Sequence, residues 1–524
     1  MSEKPEAEKK KRAPKKAADA VEGVVKAGAK PKKTKKTAEP VAEKAETAVV
    51  SEKKGVPSPH TETKSKKTKR TEKTGTVHET TTHEEKADVA HEKHAHHKTE
   101  PAHPAKKLEN KEYPEPIQPV MNIGLVGHVD HGKTTLTERL SGKWTDTHSE
   151  EVKRGITIRL GYADVVFRKC PACEGVAAYT TKKVCPEHQI TTEPLLKISL
   201  VDAPGHESLM ATMLSGATIM DGALLLVAAN ETCPQPQTRE HLMALEISGI
   251  EKVVVVQNKV DLVPKERAVR NYQQIKEFLK GTKFADAPIV PMSAQRGVNV
   301  DALIKVLLDA FTVPIRDANA DPFMVVARSF DVNKPGTNPA KLQGGVLGGA
   351  LKSGALVKGT RVEIRPGRIV EEANKIKARP LFTTITGLVT GGVTVDKVVP
   401  GGSIAVMTSL DHSVVRADSL TGSVVGIPGR LPPIWEHLVL APHLLDRVVG
   451  SAEDLKVNPI LPNELLMLNV NSAATVGIVS DLSKGRVACR LKKPICAAVG
   501  SRVTISRRVG TRFRLIGYGM ILEK

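Results

Sequence analysis

The chain has 524 residues, enough for three or four domains with ordinary hydrophobic cores. Its 78 Lys and Arg residues against 58 Asp and Glu give a formal net charge of +20, which favours a polyanionic partner. Six cysteines in so long a chain exclude a disulfide scaffold and fit a reducing compartment. The N-terminus has no apolar signal segment, and the longest apolar runs are too short to span a bilayer. We therefore expect a cytoplasmic protein with no membrane partner.

Residues 1–112 are predicted to form a disordered extension. Residues 1–110 contain no aromatic side chain apart from histidine, and an extension so poor in apolar groups cannot offset its ordering entropy. They carry 27 Lys and Arg against 18 Asp and Glu, a net +9, which leaves 51 against 40, a net +11, for the remainder. The folded part is thus basic in its own right. A solvated extension is favoured over a polybasic arm that touches RNA.

A phosphate-binding loop is predicted at the start of the folded region. The apolar run Asn122–Gly127 has the length of a buried strand, and residues 127–134, GHVDHGKT, fit the pattern G-x-x-x-x-G-K-[ST]. Backbone N–H groups of such a loop surround phosphates at a helix N-terminus. An unrelated glycine-rich turn is disfavoured, because a strand precedes the loop and a helix is predicted after it. The predicted nucleotide contacts here are Asp130, His131, Gly132, Lys133, Thr134 and Thr135.

Three further segments follow in the order typical of guanine-nucleotide domains. The first, residues 202–206, begins with Asp202, whose carboxylate ends an apolar run on the Mg²⁺ side of the site. The second, residues 258–261, offers a carboxylate that can accept from the N1–H and amine of guanine, and the third completes the base pocket. A match to one segment arises easily by chance, whereas four in this order predict a GTP site. The predicted residues are Asp202, Asn258, Lys259, Val260, Asp261, Ser293, Ala294 and Gln295.

Two segments between these motifs predict a switch and a hydrolytic residue. Thr157 is expected to ligate Mg²⁺ only while γ-phosphate is present, with a strand-edge threonine as the alternative. His206 follows Asp202-Ala-Pro-Gly205, beside the expected γ-phosphate, where a histidine can position the attacking water. Gly205 would leave its N–H open to the phosphate. The predicted catalytic residues are His206, Gly205 and Asp202.

A small metal knuckle is predicted at residues 170–188. Cys170 and Cys173 form a C-x₂-C pair, and Cys185 and His188 form a C-x₂-H pair. Three thiolates and one imidazole suit a closed tetrahedral Zn²⁺ site. The alternative is three free buried cysteines, and His188 is the ligand that the pattern supports least.

The alternation of apolar runs with helical stretches predicts an α/β domain with a mainly parallel sheet over residues 118–316. After about residue 314 helical patterns largely vanish, and short Gly- and Val-rich runs predict two β-barrels. A proline-rich linker at 428–433 divides this region into residues 319–431 and 432–524.

With these residues together, the chain resembles the gamma subunits of archaeal-type translation initiation factor 2, within the elongation-factor-Tu-like GTPases. The resemblance covers roughly residues 118–524 and rests on the phosphate loop, the segment RGITIRLGY at 154–162 and the knuckle just after it. It continues at residues 328–337, 344–349, 444–450 and 512–517. Two features depart from the pattern: His188 stands where a fourth cysteine is usual, and the long extension has no counterpart.

The resemblance implies a G domain, two β-barrels and the cofactors GTP or GDP with Mg²⁺. Thr134 and Thr157 match the ligands of a first Mg²⁺, and Asp130 and Gly155 match positions associated with a second. It further implies that the GTP form carries methionylated initiator tRNA to the small ribosomal subunit and that hydrolysis at start-codon selection releases it. Partners would be alpha and beta subunits in a heterotrimer, alpha on the second domain and beta on the G domain.

Three alternatives stay open. An elongation-type aminoacyl-tRNA carrier shares the build, but the knuckle and the segments at 344–349 and 444–450 argue against it. The GTPase subunit of a sulfate-activating enzyme needs no tRNA, which the basic folded region mildly disfavours. A zinc-dependent RNA-binding scaffold with a vestigial G domain conflicts with the intact Lys133, Thr134 and His206.

Overall fold

The fold is that of a computed structural model, which describes residues 110–146, 151, 157–372, 375–448 and 455–523. Residues 1–109 of the predicted extension lie outside the described residues. The predicted Mg²⁺ position Gly155 lies outside them as well.

A seven-stranded sheet forms the first part of the described chain. Strand order is β3-β2-β4-β1-β5-β6-β7, with β4, β1, β5, β6 and β7 parallel and β2 antiparallel to β4. The predicted mainly parallel sheet is therefore confirmed. The strands are β1 Asn122–Gly127, β2 Gly161–Lys169, β3 Tyr179–Thr180, β4 Glu193–Asp202, β5 Gly222–Ala228, β6 Val253–Asn258 and β7 Ile289–Pro291.

Helices cover both faces of this sheet, which explains why its central strands are apolar without interruption. Alternate residues of one strand enter different cores: Val255 packs with α2, α3 and α4, whereas Val254 packs with α1 and α5. The helices are α1 Lys133–Ser141, α2 Met210–Ala217, α3 Pro236–Ser248, α4 Lys265–Leu279 and α5 Val300–Ala310. None of the described helices is long and apolar enough to cross a bilayer.

The first barrel closes through six strands, paired in the cycle β11-β16-β8-β9-β15-β12 and back to β11. Its core contains small and branched side chains such as Val326, Leu347 and Val406. The strands are β8 Phe323–Phe330, β9 Val346–Ser353, β10 Leu356–Val357, β11 Arg361–Glu372, β12 Lys375–Thr390, β13 Val393–Val395, β14 Lys397–Val398, β15 Ser403–Thr408 and β16 Val424–Gly426, with the short helix α6 His412–Val415.

The second barrel is closed in the order β17-β20-β19-β18-β21-β22. The predicted pair of β-barrels after an α/β domain is thus confirmed, whereas the domain limits 118–316, 319–431 and 432–524 stay predictions. The strands are β17 Ile434–Leu444, β18 Leu465–Val470, β19 Ala473–Asp481, β20 Val487–Cys496, β21 Arg502–Val509 and β22 Arg512–Ile521.

Candidate functional site

The predicted nucleotide segments converge at the carboxyl ends of the parallel strands, where open α/β sheets bind their ligands. The phosphate loop joins β1 to α1, Asp202 ends β4, Asn258 ends β6, and Ser293 follows β7. A cavity of about 590 Å³ opens at this edge. It is lined by Val129, Asp130, Gly132, Lys133, Thr134, Thr135, Trp144, Asp146, Glu151, Thr157, Gly205, His206 and Lys259.

The phosphate loop is shaped by positive φ angles and close packing. Asp130 and Gly132 have φ of 60° and 91°, and a Cβ on Gly132 would lie 2.3 Å from Asn258 Nδ2. Lys133 Nζ donates to Gly127 O at 3.0 Å and His128 O at 2.7 Å. Burial lowers the pKa of Lys133 to about 8. The loop therefore holds a buried cation at the wall of the cavity.

Oxygen atoms from the first and second segments meet beside Lys133. Thr134 Oγ1 donates to Asp202 Oδ2 at 2.7 Å and lies 3.1 Å from Thr157 Oγ1. Thr157 Oγ1 in turn donates to Asp146 Oδ2 at 3.2 Å. Burial raises the pKa of Asp202 to about 6 and raises that of Asp146 as well. Sequence analysis missed Asp146, which belongs to no recognisable motif.

This cluster fits a Mg²⁺ ion. Among the described residues, Asp202 Oδ1 and Asp146 Oδ1 are buried oxygens without a hydrogen-bond partner. Buried polar atoms are rarely left unpaired, and oxygens are the ligands that Mg²⁺ takes. Two hydroxyls and two carboxylates with open oxygens thus suit a hard cation at the wall of the cavity. Asp130 lines the same cavity, and Gly155 lies outside the described residues.

Gly205 and His206 line the cavity beside the phosphate loop. A Cβ on Gly205 would lie 2.5 Å from Lys133 Nζ and 3.0 Å from Gly127 O, so a larger residue there would have to displace Lys133. His206 caps the 3₁₀ turn Glu207–Leu209, with its Nδ1 2.8 Å from Ser208 Oγ and accepting from Ser208 N–H. His206, which lines the cavity, is thus held by the turn that it caps.

The base-side segments are tied together by Asn258. Its Nδ2 donates to His131 O at 2.9 Å, and its Oδ1 accepts from Ala294 N–H at 2.9 Å. This buried amide joins the phosphate loop to the segment after β7, a role that the sequence did not suggest. Its predicted guanine contact stays a prediction, as does that of Asp261, whose Oδ2 lies 4.0 Å from Arg296 Nε.

The remaining predicted nucleotide residues are His131, Val260, Ser293, Ala294 and Gln295, and none of them is among those that line the cavity. His131 is fully buried, with Nδ1 2.8 Å from Leu226 O. Arg139 donates to the carbonyls of Ala294 and Gln295, which holds the third segment against α1. Val260 begins a short 3₁₀ turn after Lys259. The nucleotide contacts of these residues stay predictions.

The knuckle brings its four predicted ligands together. The candidate ligand atoms of Cys170, Cys173, Cys185 and His188 all lie within 4.8 Å of one another. His188 Nδ1 is 3.3 Å from Cys173 Sγ, and the Sγ atoms of Cys173 and Cys185 are 3.7 Å apart. Tetrahedral ligands about 2.3 Å from a zinc ion would be separated by about 3.7 Å. The structure therefore brings His188 beside the three cysteine sulfurs, although a fourth cysteine is usual at its position.

Two parts of the chain match families of known proteins. Residues 118–313 match the elongation factor Tu GTP-binding domain, and residues 436–521 match the C-terminal domain of initiation factor eIF2 gamma. Together with the phosphate loop and the cluster around Thr134 and Asp202, these matches define a GTP-hydrolysing enzyme of translation that works with GTP or GDP and Mg²⁺.

The similarity to known relatives spans nearly the full length of those proteins. The gamma subunit of translation initiation factor 2 from Methanothermobacter thermautotrophicus is 57% identical over 401 residues, which is 76% of this chain and 98% of that protein. The protein of the same name from Methanocaldococcus jannaschii is 57% identical over 402 residues, 76% of this chain and 97% of that protein. The chain belongs to the family of translation initiation factor 2 gamma subunits, in which tRNA delivery is the established role.

Solved structures share the fold at lower identity. A bacterial selenocysteine-specific elongation factor has a TM-score of 0.57 at 24% identity, over 76% of this chain and 58% of that chain. Elongation factor SelB from Methanococcus maripaludis, with the GTP analogue GppNHp, has a TM-score of 0.56 at 22% identity, over 78% of this chain and 80% of that chain. These likenesses concern the fold alone.

Proposed function

We propose that this chain, in its GTP-bound form, binds methionylated initiator tRNA and delivers it to the small ribosomal subunit, and that hydrolysis at start-codon selection releases it. The observation that carries the proposal is the complete nucleotide cavity in a chain of this family. We further propose alpha and beta subunits as partners in a heterotrimer, with alpha on the first barrel and beta on the G domain, acting in the cytoplasm.

The nucleotide would be held from three sides of the cavity. Lys133 and the loop N–H groups would bind the β- and γ-phosphates, and Asp261 with the segment after β7 would select guanine. Thr134, Thr157 and the carboxylates of Asp202 and Asp146, which lie within hydrogen-bond distance of one another, would hold Mg²⁺ directly or through water. When bound, the ion would neutralise charge on the phosphates. Asp130 and Gly155 would serve a second ion.

Hydrolysis would depend on His206 and on the close approach of Gly205. His206 lines the cavity with its Nδ1 engaged by Ser208, which orients the ring for a water on its other side. Gly205 brings its backbone against Lys133, where its N–H can meet the γ-phosphate. We assign His206 the task of orienting the attacking water, because phosphoryl transfer depends on the positioning of the nucleophile.

A second cavity supports binding of an RNA end. It has a volume of about 460 Å³ and lies between the G domain and the first barrel, lined in part by Lys143, Tyr162, Arg328 and Phe330. Cationic and aromatic side chains of this kind suit phosphates and bases. Arg328 also donates to Leu160 O at 3.0 Å, so this cavity adjoins the segment that carries Thr157. RNA at this position would be sensitive to the state of that segment.

The knuckle would bind one structural Zn²⁺ through Cys170, Cys173, Cys185 and His188. The four atoms are close enough for tetrahedral coordination and leave no open position for catalysis. We infer a structural ion that holds the segment between β2 and β4.

A tRNA-binding assay tests the proposal. The chain loaded with a non-hydrolysable GTP analogue, with and without its purified alpha and beta subunits, should bind methionylated initiator tRNA more tightly than elongator aminoacyl-tRNA. Affinity should fall as salt is raised, because phosphate contacts release counterions. Phe330→Ala and Lys143→Ala should weaken binding, with the exposed Lys484→Ala as the control. Equal affinity for both tRNAs would instead support the elongation-type carrier.

A further inference from the structure

One arginine of the second barrel reaches two acidic residues of the G domain. Arg514, on β22, donates through Nη2 to Glu207 Oε2 at 2.8 Å and through Nη1 to Glu240 Oε1. Only 13% of its side chain is exposed, and Glu240 is 3% exposed. The planar guanidinium can make both contacts at once because its N–H groups point in fixed, different directions.

The first contact leads to the hydrolytic turn. Glu207 follows His206 directly and begins the 3₁₀ turn that His206 caps. Glu207 also accepts from Arg512 on the same barrel strand, so two guanidinium groups hold this carboxylate. The position of the turn, and thus of the His206 ring in the cavity, is therefore set in part from the second barrel.

The second contact leads to the phosphate loop. Glu240 lies on α3 beside His241, whose Nδ1 accepts from Gly127 N–H at 2.8 Å. Gly127 is the first residue of the loop, and His241 is 1% exposed. Because Glu240 and His241 are adjacent on one helix, a shift of Glu240 would be passed to the hydrogen bond that holds the loop.

A simple contribution to stability does not account for this arrangement. A buried ion pair seldom stabilises a fold more than apolar residues of similar volume, because both charges must be desolvated. Such a pair does fix geometry, and here it fixes two elements of one active site relative to each other. Elsewhere in the same barrel, Arg507 binds Glu464 with similar burial, and among the described residues neither side chain makes a hydrogen bond or ion pair with the G domain.

We propose that Arg514 is a positioning residue of the GTPase site, which holds the His206 turn through Glu207 and the phosphate loop through Glu240 and His241. The second barrel then sets hydrolysis and nucleotide retention together. This inference rests on the proposed role of His206 in hydrolysis.

The test uses the full-length chain and separates the contact of Arg514 with Glu207 from its contact with Glu240. Single-turnover release of phosphate from GTP and the dissociation rate of a fluorescent GDP analogue are measured for Arg514→Met, Arg514→Lys, Glu207→Ala and Glu240→Ala. Glu207→Ala should slow hydrolysis about tenfold and leave GDP release near the wild-type rate, while Glu240→Ala should speed GDP release about tenfold with a smaller effect on hydrolysis. Arg514→Met should do both.

Arg514→Lys keeps the charge but cannot reach both carboxylates, so it should fold normally and still show both changes. If Arg514→Met does not fold, the hydrolysis and GDP release rates of Arg514→Lys test the inference. Arg507→Met, the matched control, should leave both rates unchanged. Wild-type rates in both Arg514 variants, or the same changes in Arg507→Met, would overturn the inference. Because every rate is taken relative to the wild type, a wild-type chain that fails to hydrolyse GTP would count against the proposed function instead.

Discussion

The nucleotide cavity and the knuckle are built in opposite ways. The cavity collects its walls from residues as far apart as Val129 and Lys259, which only the parallel sheet brings together. The knuckle takes all four candidate ligands from residues 170–188, and it is shaped by local backbone hydrogen bonds, such as that from Cys185 N–H to Ile190 O at 2.9 Å. A locally built site can lose its ligand without disturbing the rest of the domain, whereas a site assembled from many elements responds to changes far from the ligand.

The largest contrast is expected from removing one knuckle ligand. Cys185→Ser should reduce zinc content from one ion per chain to none, because a structural site rarely survives with three ligands. GTP affinity should stay at the wild-type level, since no knuckle residue lines the cavity. Elemental analysis and nucleotide titration give the two values. Cys233→Ser is the control, because Cys233 is not part of the four-residue cluster. A marked loss of GTP affinity in Cys185→Ser would break the comparison.

Next in size is the effect of His206→Ala. Hydrolysis should fall by about a hundredfold or more, while GTP binding survives, because the ring is assigned to the reacting water and not to the nucleotide. The measurement is single-turnover hydrolysis of GTP, with and without the small ribosomal subunit that we propose as a partner. His437→Ala, an exposed histidine of the second barrel, serves as the control. Unchanged turnover in His206→Ala would remove this residue from the mechanism.

A smaller effect is expected at Gly205. In Gly205→Ala the new Cβ would lie 2.5 Å from Lys133 Nζ, and Lys133 would have to move. We expect GTP affinity to fall by about tenfold, the loss of a charge-assisted hydrogen bond of about 1.5 kcal/mol. Gly485→Ala, where an added Cβ meets nothing within 4 Å, is a control for the substitution, although its φ of 70° also costs some stability. Wild-type affinity in Gly205→Ala would show that the close approach is unimportant.

The smallest expected effect is a change in the free energy of unfolding with pH. It tests whether His241, which accepts a hydrogen bond from the phosphate loop, stays neutral in the folded chain. Burial lowers the pKa of His241 to about 3, with Lys133, His128 and His131 as nearby groups that also lower it. Below pH 6.5 the unfolded chain binds a proton there that the folded chain excludes, so the free energy of unfolding falls as pH is lowered. The contribution is about 1.4 kcal/mol per pH unit and vanishes above pH 6.5.

Urea unfolding of the wild type and of His241→Gln at pH 7 and pH 5.5 measures this contribution. The wild type should lose more stability than the variant between the two pH values. Parallel losses would mean that His241 is protonated in the folded chain, in conflict with its role as an acceptor from Gly127 N–H.

Much of the architecture could be predicted because its signals are local. Apolar runs of strand length, separated by helical stretches, predicted the parallel sheet, and the change to short Val- and Gly-rich runs predicted the barrels. The knuckle ligands were predicted from spacing alone, and the structure brings them within 4.8 Å of one another. Each of these patterns involves residues that are close together in the chain, so it can be seen directly in the sequence.

Asp146, Asn258 and Arg514 show what the sequence could not reveal. Asp146 stands in no motif, the amide of Asn258 joins two loops, and Arg514 comes from a strand more than 270 residues beyond Glu240. The sequence by itself determined the order of strands and helices and the residue types offered to phosphate and metal. Only the tertiary structure decided which side chains meet at the cavity, because contacts between distant segments depend on how sheet and barrels pack, and no local pattern of residues encodes that packing.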